Sequence, residues 1–472
     1  MFVARRNEME LLRASMEADV SQFVAVYGRR RVGKTLLIRE AFGYSFAFQH
    51  AGLARGGLKS QLHAFSDSLR DAGLRDFDEP SSWIDAFSLL KELIRKSEAE
   101  RKVVFIDELS WMDTPASGML TALEFFWNGW ASARRDVVLV VCASATSWML
   151  DNVIHNKGGL YNRLTRQIHL LPFTLGECEQ FAREKGLAFN RYQLLEGYMI
   201  LGGVPYYWDF LQRGLSLPQC IDGMFFAAGA PLADEYDYLF ASLFRHPQAY
   251  VAIIDALAQR GVGMTRDEVA QSAGLANSGT LTKRLKELES CGFIRRYPAF
   301  GKRSKGSLYQ VIDNFTLFHK KFLTQGGDER LWSNLTNSPA RNAWCGLAFE
   351  RVCLEHVPQI KSALGVSGVQ SNVRAWSCKR DSELGVHGSQ IDLLIDRKDQ
   401  VINICEMKYS ADDYAPTSAD EESLRHKIHD FQVLTGTRSA LHPTLVTPYG
   451  LQRNSHAAAF QAVVTAEDLF AQ

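Results

Sequence analysis

The sequence predicts an α/β protein with a parallel sheet in its N-terminal part and a smaller α/β domain at its C-terminal end. Three short apolar strands, at 23–27, 103–106 and 137–142, alternate with helical stretches. This pattern is typical of a parallel sheet that is covered on both faces. We expect four parts, which are a core at 1–173, a helical lid at 174–240, a winged helix at 241–325 and a C-terminal domain at 340–472.

The composition excludes several classes of protein. The chain has 472 residues, and 53 Lys and Arg are balanced by 53 Asp and Glu, which excludes a uniformly basic nucleic-acid binder but not a local basic face. The longest apolar run, 137–145, is shorter than the roughly 20 residues that cross a bilayer. The first residues lack the apolar stretch of a signal peptide. Eight cysteines with no CxxC pair predict reduced, mostly buried thiols, and we expect a cytoplasmic protein.

The first predicted strand runs into a complete phosphate-binding loop at 28–35. The loop reads Gly-Arg-Arg-Arg-Val-Gly-Lys-Thr and matches GxxxxGK[ST]. Its glycines allow successive backbone N–H groups to face phosphate oxygens at the N-terminus of the next helix. Lys34 is expected to reach the β- and γ-phosphates, and Thr35 to ligate Mg²⁺. The residues predicted to bind nucleotide in this loop are Gly28, Arg31, Val32, Gly33, Lys34 and Thr35.

The second and third predicted strands end in polar residues. Ligands of a parallel sheet bind at the carboxyl ends of its strands. Asp107 is expected to hold Mg²⁺, and Glu108 to orient or deprotonate the attacking water. Ser144, at the tip of the third strand, is a candidate contact of the γ-phosphate, with Thr146 as the alternative.

Two arginines follow the third strand, in the segment GGLYNRLTRQIHL. A guanidinium can neutralise charge on the transferring phosphate, either in cis or from a neighbouring subunit. Arg163 is the first candidate for this role and Arg166 the second.

These motifs together resemble the prokaryotic AAA+/STAND-type P-loop ATPases of the archaeal-type group. The segment Phe-Val-Ala-Arg-Arg-Asn-Glu at 2–8 is similar to that group's F-[IV]-G-R-E-x-E start. The P-loop, the Ile-Asp-Glu strand end, the Cys-x-Ser strand and the Gly-Gly-Val-Pro turn at 202–205 follow in the group's order. The resemblance covers about residues 1–235 and continues into a winged helix and a C-terminal domain. It implies ATP and Mg²⁺ as cofactors, ATP hydrolysis, and a role for Arg5 in framing the nucleotide pocket.

Residues 245–325 predict a winged helix-turn-helix. Thr265 with Glu268 forms a capping-box pattern, and Gly274 makes the turn before a second helix from 278 to 289. That helix has its apolar stripe at Leu281, Leu285 and Leu288. Its polar residues, and the basic residues of the loop that follows, are candidates for contacts with DNA. They are Thr280, Thr282, Lys283, Arg284 and Lys286 on the helix, and Lys302, Arg303 and Lys305 on the wing. A connector at 326–337 is expected to follow.

Two strands near the C-terminus carry carboxylates. If the connecting loop is centred on Asp399, Asp392 lies opposite Glu406, and Lys408 shares their face. Two carboxylates that close can bind a divalent cation, and the lysine can orient the attacking water. Glu350, on an upstream helix, is a candidate third carboxylate. Lys427, in the helix after the site, is expected on a solvated helix face, with a contact to phosphate as the alternative.

This Glu…Asp…Glu-x-Lys order is similar to the PD-(D/E)XK nucleases. The segments G-L-A-F-E at 346–350, Q-I-D-L-L-I at 390–395 and C-E-M-K-Y-S at 405–410 carry the resemblance, which covers about residues 340–472. It implies an α/β restriction-endonuclease-like fold and Mg²⁺-dependent hydrolysis of phosphodiesters. The residues to which it assigns catalysis are Glu350, Asp392, Glu406 and Lys408, with Mg²⁺ held by Asp392 and Glu406.

Two functions are consistent with these parts. Nucleotide binding and hydrolysis would control metal-dependent cleavage of DNA, or the chain would be a nucleotide-switched DNA- or protein-binding module whose C-terminal domain does not cleave. A sequence-specific transcription regulator would rest on the winged helix alone. Assembly into a homo-oligomer is compatible with each function.

Overall fold

The computed structural model describes residues 2–156, 158–244, 246–261, 263–297, 300, 307–324 and 326–471. These residues form two compact units, 1–172 and 173–472. All eight cysteines are free thiols, and seven of them are buried, as predicted. In the described residues no helix is long and apolar enough to cross a membrane.

The first unit is built on a five-stranded, fully parallel sheet with the order β2-β3-β4-β1-β5. Its central strands are the three that the sequence predicts. The two edge strands were not predicted because each has only four residues and half of its positions are exposed. The strands are β1 Gln22–Tyr27, β2 Phe48–Ala51, β3 Lys102–Asp107, β4 Val137–Ala143 and β5 Arg166–His169.

Helices cover both faces of this sheet. One face packs on a core that includes Phe65, Phe87 and Phe126, and the other on a core that includes Leu37 and Phe105. This two-sided burial explains the unbroken apolar sequence of β4, all seven residues of which are buried. The helices are α1 Arg6–Arg13, α2 Lys34–Ala41, α3 Leu58–Asp71, α4 Trp83–Lys96, α5 Leu109–Met112, α6 Met119–Gly129 and α7 Thr146–Met149.

The second unit begins with the predicted helical segment. Thr174, Asn190 and Ser216 each start a helix with a capping box. A Cβ on Gly203 would lie 1.8 Å from the Phe173 carbonyl oxygen, so this position accepts only glycine. The helices are α8 Leu175–Lys185, α9 Arg191–Leu201, α10 Pro205–Trp208, α11 Leu217–Phe225 and α12 Glu235–Leu243.

Three helices and a small antiparallel sheet follow, in the order predicted for the winged-helix block. Thr265 caps α14 through the expected capping box with Glu268. Leu281, Leu285 and Leu288 form the buried stripe of α15. The elements are α13 Pro247–Ala258, β6 Met264–Thr265, α14 Arg266–Ser272, α15 Gly279–Ser290, β7 Ile294–Tyr297 and β8 Leu308–Val311, with the sheet order β6-β8-β7.

The expected connector at 326–337 is not a linker. It contains a short helix, and the fully buried Trp332 donates its backbone N–H to the Asp222 carboxylate at 2.8 Å. The Trp332 ring packs edge-on against Phe318 and Trp344. This segment therefore joins the preceding helices to the C-terminal block. Helix α16, Asn314–Phe318, precedes this segment, and α17, Leu331–Asn334, is the short helix within it.

The C-terminal block has a five-stranded mixed sheet with the order β13-β12-β11-β10-β9. Strands β9 to β11 are antiparallel, and β11 to β13 are parallel. Two strands, β12 and β13, follow the long helix α20, and the short helix α21 comes last in the described residues. The elements are α18 Pro339–Glu355, α19 Val357–Ala363, β9 Ser371–Ser377, β10 Gln390–Arg397, β11 Val401–Met407, α20 Ser418–Thr435, β12 Ala440–Thr447, β13 Ala462–Thr465 and α21 Ala466–Leu469.

Candidate functional site

The phosphate-binding loop joins the end of β1 to the first turn of α2. A Cβ on Gly28 would lie 2.2 Å from the Leu170 carbonyl oxygen. Gly33 has a φ of 90°, which glycine adopts without strain. In the described structure no side chain caps the first turn of α2, so its backbone N–H groups remain available to an anion. Val32 is buried in the core, so any contact it makes with nucleotide would come from its backbone.

Lys34 is buried beneath this loop. Its ammonium donates hydrogen bonds to the carbonyl oxygens of Gly28 and Arg29, each at 2.9 Å. A third hydrogen bond, at 3.1 Å, goes to the hydroxyl of Ser144. These contacts account for the three donors of an ammonium group, and they hold it at the end of the sheet that carries Asp107.

Thr35 and Asp107 bring two oxygen ligands together. The Thr35 hydroxyl donates to the Asp107 carboxylate at 2.6 Å. Hydroxyl and carboxylate oxygens are ligands of the kind that Mg²⁺ takes. The loop, Lys34 and this pair thus fit a nucleoside triphosphate with Mg²⁺.

Glu108 is held at the tip of β4. Its carboxylate accepts the backbone N–H of Ser144 at 3.0 Å and the Ser144 hydroxyl at 2.5 Å. Glu108 has a φ of 47°, which is uncommon for a residue other than glycine. Ser144 therefore connects Lys34 to Glu108. Thr146, the alternative to Ser144, is buried, and its hydroxyl has no hydrogen-bond partner among the described residues.

The three candidate arginines differ in their surroundings. Arg5 is buried, and its guanidinium donates to the Leu171 carbonyl oxygen at 2.6 Å, next to the residue that contacts Gly28. Arg163 is exposed, while Arg166 begins β5 and pairs with Val24. Within the described ranges, neither Arg163 nor Arg166 makes a hydrogen bond or ion pair with Lys34, Asp107 or Glu108.

The second candidate site lies on β10 and β11. Leu393 pairs with Cys405 in the register centred on Asp399, and Asp392 and Glu406 are the next residues beyond this last pair. Lys408 lies 3.4 Å from Glu406 and 3.4 Å from Asp420. Burial alone would lower the pKa of Lys408, but the charges of Glu406 and Asp420 outweigh it, so the pKa is raised.

The charges of Asp392 and Glu406 act on Glu350, which lies on α18. Burial, and then the charges of Asp392 and Glu406, raise its pKa to about 7. At this pKa the carboxyl group is partly protonated near neutral pH. Among the residues that the structure describes, no group of three or more His, Cys, Asp or Glu side chains is arranged to hold a metal ion.

Lys427 does not lie on a solvated helix face, and this prediction was wrong. Its ammonium is 2.7 Å from one carboxylate oxygen of Glu406, and Lys408 is nearest to the other oxygen. The signal was present in α20, where Asp420 and Lys427 are seven residues apart and so fall on one face of the helix. Asp420 and the fully buried Asp430, which lie on the same helix, were also missed.

The predicted DNA-contacting residues fall into two groups. Thr280, Thr282, Lys283 and Lys286 are exposed on α15, and Arg284 is half-buried. The wing residues Lys302, Arg303 and Lys305 lie outside the described residues. Phe300, at the start of that loop, donates its backbone N–H to the Ala375 carbonyl of β9 at 3.1 Å. Its ring packs against Phe431, with 4.8 Å between centroids.

Comparisons with known proteins agree with the first site. Residues 2–209 match a family described as an ATPase domain predominantly from Archaea. This part of the chain is therefore an archaeal-type P-loop ATPase domain, and ATP with Mg²⁺ is its cofactor. The match extends beyond residue 172 into α8, α9 and α10.

Two proteins of Methanocaldococcus jannaschii are similar in sequence. The uncharacterized protein MJECL04 is 23% identical over 385 residues, which cover 76% of this chain and 78% of that protein. The uncharacterized ATP-binding protein MJ0423 is 45% identical over 40 residues, or 8% of this chain and 68% of that protein.

Two solved structures are similar in fold. The Walker-type ATPase PABY2304 of Pyrococcus abyssi has a TM-score of 0.47 and 18% identity, over 67% of this chain and 95% of that one. The ORC2 protein of Aeropyrum pernix has a TM-score of 0.41 and 15% identity, over 75% of this chain and 95% of that one.

Proposed function

We propose that the ATPase domain hydrolyses ATP, and that its nucleotide state controls Mg²⁺-dependent cleavage of DNA by the carboxylate cluster on β10 and β11. The proposal includes a winged helix at 241–325 that contacts DNA, and a PD-(D/E)XK-like domain at 340–472. The observation that supports it is the presence, in one chain, of an ATPase site and of a second cluster, in which Lys408 lies 3.4 Å from Glu406 and the charges of Asp392 and Glu406 act on Glu350.

The hydrolytic roles follow from the contacts of the first site. Lys34 is placed to neutralise charge on the terminal phosphates, and Glu108 to orient the water that attacks the γ-phosphate. Ser144 contacts both side chains and so sets their separation. Mg²⁺ between Thr35 and Asp107 would offset the negative charge of the phosphates.

The cleavage roles follow from the second site. Asp392 and Glu406 would hold Mg²⁺, which polarises the scissile phosphodiester. Lys408 is placed to orient the attacking water. Glu350, whose carboxyl group has a pKa near neutrality, would accept a proton from that water or add a ligand to the metal ion.

The test is a cleavage assay on plasmid and single-stranded DNA with Mg²⁺. Wild type, Glu406→Ala and Lys34→Ala are compared with and without ATP. Asp396→Asn, a carboxylate four residues beyond Asp392 on the same strand, is the matched control. We expect cleavage by wild type and Asp396→Asn, and none by Glu406→Ala. Cleavage by Lys34→Ala with unchanged dependence on ATP would reject nucleotide control.

A second candidate function is a nucleotide-switched module that binds DNA or protein without cutting it. The observation in its favour is that both oxygens of Glu406 are already paired with lysines, Lys427 at 2.7 Å and Lys408 at 3.4 Å. If ATP is hydrolysed but no DNA is cut under any nucleotide condition, this second function is the better description.

A further inference from the structure

A cavity of about 760 Å³ opens beside the carboxylate cluster. Glu350 and Asp392 contribute to its lining, and so do the side chains of His387, His426 and Lys427. One part of the wall is therefore acidic, and another part carries imidazoles and an ammonium group. Neither histidine has a role in the cleavage chemistry described above.

The two histidines form a stacked pair. Their ring centroids are 3.7 Å apart, and the ring planes differ by 11°. His387 retains 47% of its side-chain exposure and His426 retains 37%, so both rings reach solvent in the cavity. A third histidine, His429 on α20, meets His387 edge-on at 5.9 Å and is not among the residues that line the cavity.

Asp430 holds His387 through hydrogen bonds to its backbone and its ring. This fully buried carboxylate accepts the His387 backbone N–H at 3.0 Å and the ring Nδ1 at 3.2 Å. Burial opposes ionisation of Asp430, but hydrogen bonds from Ser389 and His387 outweigh it and lower the pKa of this carboxyl. Because Nδ1–H donates its hydrogen bond to the carboxylate, Nε2 is the ring nitrogen that remains for another partner.

Asp430 holds the loop before β10, but this does not explain why the rings of His387 and His426 stack beside the cavity. Asp430 also accepts the Gly388 backbone N–H, which is enough to hold the loop before β10. His426 lies 3.9 Å from another carboxylate, that of Glu422, which also lines the cavity. A bound anion between the exposed edges of the rings and Lys427 would explain why both rings face the cavity.

We propose that His387 and His426 bind a phosphate group of a nucleic-acid strand, next to the phosphate that Mg²⁺ held by Asp392 and Glu406 would polarise. This inference rests on the proposed function, because it names the strand that the same cavity takes. In the complex each imidazole takes a proton from solvent; His387 donates Nε2–H to the phosphate, and His426 donates one of its ring N–H groups. The protonated His387 then lies between two anions, Asp430 and the phosphate.

The test uses the full chain labelled with ¹³C at histidine Cε1 and assigned with single His→Gln variants. The probes are thymidylyl-thymidine, its uncharged methylphosphonate analogue and inorganic phosphate. We expect the signals of His387 and His426, but not that of His429, to move toward protonated values with the dinucleotide and to stay unchanged with the methylphosphonate. The double variant His387→Gln/His426→Gln should bind single-stranded DNA about tenfold more weakly, and His429→Gln should bind it normally.

The outcomes separate this inference from the proposed function. If neither signal moves while wild type still cuts DNA and Glu406→Ala does not, the phosphate contact is rejected and the nuclease stands. If both signals move but no DNA is cut, the contact stands and the nuclease fails. If inorganic phosphate moves the signals as strongly as the dinucleotide does, assignment to a nucleic-acid strand is overturned. Thermal melting of the double variant checks that it is folded.

Discussion

The carboxylate of Glu108 accepts two hydrogen bonds from Ser144, one from its backbone N–H at 3.0 Å and one from its hydroxyl at 2.5 Å. The same hydroxyl accepts a hydrogen bond from Lys34. The residue that would bind phosphate and the residue that would orient water are thus joined through one serine. Movement of the Ser144 hydroxyl would therefore alter both.

Ser144→Ala should slow ATP hydrolysis without preventing ATP binding. Loss of one positioned hydrogen-bond donor at such a site lowers kcat by about tenfold to hundredfold. Steady-state turnover together with binding of a fluorescent nucleotide checks this. Ser147→Ala, three residues further on in α7, is the control and should behave as wild type. Equal losses of binding and turnover in Ser144→Ala would contradict a role in orienting Glu108.

Glu350→Gln should stabilise the second unit at pH 8 but not at pH 5. The folded-state pKa of Glu350 is raised to about 7 from an ordinary value near 4.5. The protonated carboxyl therefore stabilises the folded state below about pH 4.5, and this stability is lost as pH rises through 7. The glutamine remains uncharged, so the variant should gain roughly 1–3 kcal/mol at pH 8 without Mg²⁺.

Urea unfolding at the two pH values, followed by a probe in residues 173–472, measures this difference. Excess Mg²⁺ should reduce the advantage of the variant at pH 8, because the metal ion stabilises the ionised carboxylate in the wild type. A variant that is destabilised equally at both pH values would show that the charge of Glu350 is not the cause.

His356→Gln should flatten the dependence of stability on pH in the acid range. His356 accepts the Leu175 backbone N–H at 3.0 Å through Nε2 and donates Nδ1–H to Val352, so the folded state requires a neutral ring. Burial lowers its pKa to about 4. Its contribution is therefore present above pH 6.5 and is lost as pH falls from 6.5 toward 4.

For wild type we expect a loss of roughly 1–3 kcal/mol over this range from His356, and a smaller loss for the variant. Denaturant unfolding at several pH values measures both slopes. His442→Gln, a half-buried histidine on β12, serves as the control. Identical slopes for wild type and His356→Gln would contradict the assigned role.

Phe300→Ala should weaken the contact of residue 300 with β9. The substitution removes an aromatic contact with Phe431 and partly buried apolar surface, which costs about 1–2 kcal/mol. Hydrogen exchange at the amide of residue 300 should become faster because its bond to Ala375 opens more often. Val373→Ala, an exposed position of β9, should leave that exchange rate unchanged.

Much of the first unit could be predicted from sequence because its signals are local. The P-loop, Asp107 and Glu108 each follow a buried strand, and parallel strands bring such ends together. The register of Asp392 and Glu406 followed from a turn of odd length. Lys427 and Asp430 were misjudged or missed because their roles depend on how α20 packs against the mixed sheet. The connector at 326–337 looked like a linker because most of its residues are polar or glycine, and because Asp222, which accepts the Trp332 backbone N–H, is 110 positions away in the chain.

Asp222 accepts hydrogen bonds from the backbone N–H groups of both Trp332 and Ser333. The polar stretch that looks like a boundary is thus an internal joint of the second unit. Shuffling of domains in evolution, or in the laboratory, would break this joint if the chain were cut there. A chimera preserves this joint when Asp222 and residues 332–333 come from the same parent.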